Sequence, residues 1–170
     1  MTIRRPFAPT RFGGRLVLVA FCALSIPSPA YSQLDPAIGK WRLNLAKSTY
    51  GPGVTPPKSV TVAIEPAGQG LRVTARTIGG DGQVTETQYT AYVDGNDYAV
   101  TGSRDYNSVS LKRTGLIVEG TRKKDGTVVQ HYQRFLSPDG KTMTVATTGV
   151  NSQGKQISTV AVFDKQLPGK

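Results

Sequence analysis

From Gln33 onward this chain alternates period-two segments with glycine-containing turns, and that rhythm constrains its fold more than any other feature. The segments fall at 40–45, 59–65, 71–78, 84–93, 98–101, 108–114, 116–123, 128–136, 142–150 and 156–164. They are rich in Val, Ile, Thr, Tyr and Phe, which suit a pleated and half-buried surface. Between them stand Gly80-Asp81-Gly82, Asp94-Gly95-Asn96, Asp125-Gly126, Pro138-Asp139-Gly140 and Gln153-Gly154. Asp, Asn and Gly accept the positive φ that tight hairpin turns require. Links this short join antiparallel neighbours, because parallel pairs need long crossovers. After residue 33 no long window carries a helical stripe. The expected fold is all-β, an antiparallel up-and-down meander of about 8–10 strands.

A meander of that length exposes two edges unless it closes. Closure into a barrel removes both, whereas a sandwich only shortens them. The expectation is therefore a closed barrel, with a β-sandwich as the alternative. One connection breaks the rhythm: 46–58 contains Gly51, Pro52, Gly53, Pro56 and Pro57. Serial prolines favour extended polyproline II, so this Gly/Pro-rich stretch reads as a stiff loop and a candidate lid.

The first 32 residues have a different character. Arg4, Arg5, Arg11 and Arg15 form a basic opening without an acidic residue, followed by the apolar run 16–26. Pro27 and Pro29 then break any helix, and Ala30-Tyr31-Ser32 places small residues at the positions a signal peptidase reads. This order is that of a secretory signal peptide, and the apolar run is too short for a stable membrane anchor. Cleavage is expected after Ser32, with residues 33–170 forming a single domain in the periplasm or the medium. Arg4-Arg5-Pro6-Phe7 resembles a twin-arginine signal but lacks the preceding Ser or Thr. Cys22 follows Phe21, where lipidation needs a small residue, so it counts as an apolar residue of the discarded segment.

Removal of that segment takes 4 of the 21 basic residues and none of the 11 acidic ones, so net charge falls from +10 to +6. It also removes the chain's one cysteine, so the exported domain must be held by its core rather than by disulfides. No later segment is apolar and long enough to span a membrane as a helix. The densest basic run, Arg122-Lys123-Lys124, abuts the turn Asp125-Gly126 and reads first as a solvated hairpin face. A weak attraction to anionic surfaces is the alternative. No nucleic-acid-reading motif is present, and none is expected to bind. The domain is expected to act as a monomer.

The chemical inventory is thin. With one histidine and no cysteine after residue 33, a His/Cys metal site is not expected, nor is a cofactor. Asp94-Gly95-Asn96-Asp97 has oxygens but lacks the closing Glu of a calcium loop, so it reads as a turn. His131 shares a strand face with Val129, Gln133 and Phe135, while Gln130, Tyr132 and Arg134 share the other. No Gly-x-Ser-x-Gly elbow accompanies His131, so no catalytic residue is assigned and the protein is not expected to be an enzyme.

Tyrosines are the more informative residues, since each joins an apolar body to a hydroxyl tip. Tyr89, Tyr92, Tyr132 and Arg134 are the candidate ligand contacts, together with Trp41. Tyr89 and Tyr92 lie on opposite strand faces and compete for the inward position. Trp41, Leu43 and Leu45 alternate with Arg42 and Asn44 and are expected to point inward near the base.

Gly39-Lys40-Trp41 opens the first strand as Gly-x-Trp, and here the chain resembles the lipocalin and calycin barrels. The resemblance implies an indole that closes the barrel base and a lid-like loop after the first strand, the position of 46–58. Asn96-Asp97-Tyr98 is similar to the family's second motif; no arginine near the end matches its third, and no C-terminal helical pattern follows. A closer likeness is to a group of small exported bacterial proteins. Their mature start reads like Gly39-Lys40-Trp41-Arg42-Leu43-Asn44-Leu45-Ala46-Lys47-Ser48-Thr49-Tyr50, and later segments such as 92–98 and 109–113 are similar too. That likeness spans most of the mature chain and bears on the domain boundary rather than on an activity. The expected function is binding of a small amphipathic or apolar ligand inside an exported barrel. The alternative is an envelope interaction module with a solid core.

Overall fold

In the computed structural model, which describes residues 35–167, each of the ten period-two segments is a strand. The signal-peptide and cleavage readings over 1–32 lie outside the described residues. The strands are β1 (Gly39–Leu43), β2 (Thr49–Tyr50), β3 (Ser59–Ala67), β4 (Gly70–Ile78), β5 (Val84–Ala91) and β6 (Asp97–Thr101). They continue as β7 (Ser108–Thr114), β8 (Ile117–Lys124), β9 (Thr127–Leu136), β10 (Thr142–Val150) and β11 (Gln156–Gln166).

Antiparallel pairing runs from β1 to β3 and then from each strand to the next, as far as β11. The decisive pair is the last. β11 returns to β1, with Trp41 opposite Lys165 and Leu43 opposite Phe163. That pairing closes the sheet and rules out the sandwich: ten strands form a closed barrel, with β2 as one added strand paired to β11 alone.

β2 was not anticipated, and it changes the reading of the Gly/Pro-rich stretch. Leu43 faces Phe163 and Thr49 faces Val160, so six steps along one chain travel against three along β11. The surplus is absorbed by a 3-10 turn, Leu45–Lys47, whose cap Asn44 accepts a hydrogen bond from the Lys47 amide at 3.1 Å. On the far side of the turn the Ser48 hydroxyl accepts from the Val162 amide at 2.9 Å, so the ladder is bridged rather than broken. Hence Leu45 does not point inward as expected; it is 43% exposed, because the strand alternation stops at Leu43. Only 51–58 remains loop, and it is tied at both ends. Gly51 donates to the Ser158 carbonyl at 2.8 Å, and Lys58 to the Ile78 carbonyl at 2.8 Å.

Along the barrel axis the turns segregate. One end, the base, gathers the segment 35–38 and the turns at 68–69, 92–96, 115–116 and 137–141. The other, the rim, gathers the 44–58 connection and the turns at 79–83, 102–107, 125–126 and 151–155. The core lies in two clusters: one around Trp41, Ile64, Leu71, Met143 and Phe163, and one around Val100, Val109, Leu111 and Val118. Tyr89 and Val145 pack against both.

Candidate functional site

Between the two clusters the barrel interior holds a partly open cavity of about 250 Å³. Its size falls just below the usual range of small-molecule sites, about 300–1,000 Å³. Its wall is apolar at Val60, Val62, Ile64, Val73, Met143, Val145 and Phe163. The polar part is made by Tyr89, Tyr106, Arg122, Tyr132, Arg134 and three threonines, Thr77, Thr87 and Thr147. An apolar wall with a few convergent polar groups is the usual make-up of a small-molecule pocket.

Strand alternation decides who faces this space. On β9 the residues Gln130, Tyr132 and Arg134 are buried, while His131 and Gln133 are exposed on the outer surface. On β5 the inward parity is that of Thr87, Tyr89 and Ala91. Tyr89 thus takes the inward position for which it competed with Tyr92. Tyr92 lies past the end of β5 in a base turn, 41% exposed, with its ring 5.7 Å from that of Tyr98. Trp41 is also outside the cavity. It is buried in the base cluster, where its indole Nε1 donates to the Ala37 carbonyl at 2.8 Å and Lys165 Nζ sits 5.1 Å from its ring centre.

Tyr89 and Tyr132 come from strands on opposite sides of the cavity, and their hydroxyls approach to 3.5 Å. Burial, first, and then the neighbouring Tyr132 push the Tyr89 phenol well above its ordinary pKa, against the smaller lowering effect of Arg122 and Arg134. Tyr89 therefore remains a neutral hydrogen-bonding group at physiological pH.

Arg134 lines the cavity, yet its charge is already answered. Its Nη2 lies 3.3 Å from Asp35 Oδ2, and Arg113 bonds the same oxygen. The other Asp35 oxygen accepts from the Ala37 amide at 2.8 Å, which fixes the segment beneath the barrel base. Arg113, Arg134 and Asp35 also line a second cavity of about 240 Å³ on that side, with Leu116 and Pro138.

Arg122 is the site residue that sequence reading missed. Lys123 and Lys124 fit the solvated hairpin face, Lys123 pairing with Asp97 at 2.7 Å. Arg122 instead turns inward, on the face that carries Val118 and Gly120. Its guanidinium lies 4.7 Å from the ring centre of Tyr106 and 4.5 Å from that of Tyr132. Nη1 donates to Gln130 Oε1 at 2.9 Å, and Gln130 in turn donates to the Val150 carbonyl at 3.2 Å. Burial works against the charge, but Tyr106, Tyr132, Tyr89 and Asp105 outweigh it and leave the Arg122 pKa raised. Period-two counting back from Arg122 through Gly120 to Val118 was the signal available.

The remaining sequence candidates are accounted for by local structure. Asp94 is a turn cap: its carboxylate accepts from the Asn96 amide at 2.9 Å and from the Tyr98 hydroxyl at 2.7 Å. The Tyr98 bond, ahead of that from Asn96, holds its pKa below the usual carboxylate value. No cluster of three metal-ligating side chains occurs among the described residues. None of residues 46–58 lines the cavity. The loop packs instead at the rim, where Thr55 and Pro56 press on Gly80.

This interior and the closed ten-strand sheet define an antiparallel β-barrel with an internal cavity. Rv2717c from M. tuberculosis is similar to it, with a TM-score of 0.52 and 17% identity over 82% of this chain and 99% of that one. At that identity the likeness is one of fold. Zebrafish ileal bile acid-binding protein complexed with cholic acid superposes with a TM-score of 0.48 and 14% identity, covering 77% of this chain and 99% of that chain. The siderocalin Ex-FABP does so with a TM-score of 0.37 and 14% identity, covering 79% and 77%. These two superpose too loosely to add to the argument. No protein-family model and no curated protein matches the sequence.

Proposed function

We propose that this protein is an exported, non-catalytic carrier or receptor that binds one small amphipathic molecule inside its barrel. The observation that carries this reading is the cavity itself, about 250 Å³ with a largely apolar wall and a polar cluster of Tyr89, Tyr106, Arg122 and Tyr132. A solid interior would have favoured an envelope interaction module instead. His131 lies exposed on the outer surface of β9, away from the cavity. Export to the periplasm or medium rests on the pattern of residues 1–32, and the monomer on the closure of the barrel through β1 and β11.

The test is native mass spectrometry on the full chain expressed with its leader and recovered from a bacterial periplasm, followed by solvent extraction. The expected result is a reproducible small-molecule adduct on a monomer that starts at Gln33. A mass without adduct that survives incubation with lipids and aromatic metabolites would overturn the reading in favour of the interaction module.

A further inference from the structure

We infer that the base of the barrel carries a second binding site, outside the interior cavity, which takes a small organic monoanion. The acid group sits on Arg113 and the short apolar body lies between Leu116, Leu136 and Pro138. This site is independent of the carrier reading above, since Arg134 is the one side chain that lines both spaces.

The pocket of about 240 Å³ lies in the mouth of the barrel base, between the turns that follow β7 and β9 and the segment that precedes β1. Strand alternation aims its cations there. Arg113 has the inward parity of Val109 and Leu111, and Arg134 that of Gln130 and Tyr132. Pro36, Leu116, Leu136 and Pro138 make the rest of the wall mostly apolar. Only one carboxylate answers the two guanidiniums. Arg113 and Arg134 both bond Asp35 Oδ2, which leaves one positive charge over. Asp139, in the turn beside the pocket, does not line it. Its Oδ1 accepts instead from the Ser137 hydroxyl at 2.6 Å and from the Lys141 amide at 3.0 Å.

The donors that an acid group needs are present and held in place. Each guanidinium carries five N–H groups in a fixed fork, and Asp35 is the one protein acceptor that either meets among the described residues. Arg134 is 8% exposed, yet no buried polar side-chain atom among those residues lacks a partner, so its remaining N–H groups reach open space. The facing wall is fixed by three bonds. The Ala37 amide donates to Asp35 Oδ1, the Ile38 amide to the Asp35 carbonyl at 2.9 Å, and the Trp41 indole to the Ala37 carbonyl. A pocket ordered in advance loses little on binding. Its volume, below that of usual small-molecule sites, limits the body to a single ring or a short branched chain. The one surplus charge limits the head to one negative charge.

Titration of the isotope-labelled protein with benzoate, benzyl alcohol and benzylamine, followed by amide NMR shifts, tests this. Benzoate is expected to move the amides of Leu116, Ser137 and Gly140 together. It should bind at least about tenfold more tightly than benzyl alcohol, the worth of one charged hydrogen-bonding pair. Benzylamine is expected not to bind. Arg113→Gln should lose that tenfold for benzoate and leave benzyl alcohol within about twofold. Leu116→Glu, at a position 85% exposed and so harmless to folding, should weaken benzoate severalfold through like charge. Shifts at Thr87 and Thr147 in place of those at the base would put the acid in the interior cavity, overturning the base site and leaving the carrier reading standing. Equal binding of benzoate and benzyl alcohol, or no shift with either, also overturns the base site and leaves the carrier reading to its own mass-spectrometric test.

Discussion

The ring of Tyr132 occupies the space that a side chain at Gly120 would fill: a Cβ built there would run into Cε1 and Cζ of the ring. The two residues are cross-strand partners in β8 and β9, so the missing side chain of one makes room for the aromatic of the other. The ring placed this way is the one beneath the Arg122 guanidinium. Gly120→Ala should therefore displace Tyr132, loosen Arg122 and destabilise the fold by about 1–3 kcal/mol. Denaturant unfolding measures the loss, and near-UV circular dichroism reports the moved ring. Unchanged signals in both would contradict the placement.

Asp35 holds two arginines with one carboxylate at the barrel base. Asp35→Asn removes the charge and leaves Arg134, 9% exposed, without a partner. The expected cost is about 2–3 kcal/mol, below that of a fully buried pair because Arg113 remains partly hydrated. Urea denaturation of the variant against the parent decides it.

Trp41 is the chain's one tryptophan and is 1% exposed. Its emission should be blue-shifted and poorly quenched by acrylamide, and should change little on ligand binding because the indole does not line the cavity. Trp41→Ala should cost about 3–5 kcal/mol through cavity formation and loss of the bond to Ala37.

Tyr89 is favoured in its neutral form by the fold, so its pKa is raised. Its contribution to stability is complete below the unfolded tyrosine value of about 10 and is lost as pH rises through the folded value. Alkaline difference absorbance should show Tyr89 ionising last, behind Tyr50 and Tyr98, whose values are also raised, and Tyr89→Phe should remove that last step and flatten the alkaline limb of stability.

Asp164 has the opposite sign. The Asn44 amide donates to it at 2.7 Å and, with help from Lys47, lowers its pKa. That contribution is present above the unfolded value of about 3.9 and is lost as pH falls through the depressed folded value. Asn44→Ala should shift the acid unfolding midpoint upward and also loosen the 3-10 turn that Asn44 caps. An unmoved midpoint would show that this bond carries no folding energy.

Much of the fold was legible because strand periodicity and turn chemistry are local. The segments 108–114 and 142–150 coincide with β7 and β10, and the others differ at their ends by a few residues. β2 was hidden because two residues carry no period and its partner lies more than a hundred positions away. Leu45 was misplaced for the same reason: the alternation was extrapolated through a turn whose cap, Asn44, is fixed by contacts with Asp164 and Lys47.

The candidate site divides along the same line. Residues 130, 132 and 134 could be grouped on one face by counting, and Tyr89 could be set against Tyr92. Arg122 was passed over because three consecutive basic residues beside a turn resemble a solvated face. Its sense depends on the neighbours Tyr106 and Tyr132, which come from a different turn and a different strand.

That the chain is all-β, antiparallel and linked by short hairpins could be read from the amino-acid order, since these properties follow from residues close together along it. Only the tertiary structure decided that the sheet closes through β1 and β11, which face points inward, and that Arg134 is matched by Asp35 while Arg122 is not. Those outcomes depend on pairs such as Asp35 with Arg134 and Trp41 with Lys165, brought together only when the last strand meets the first.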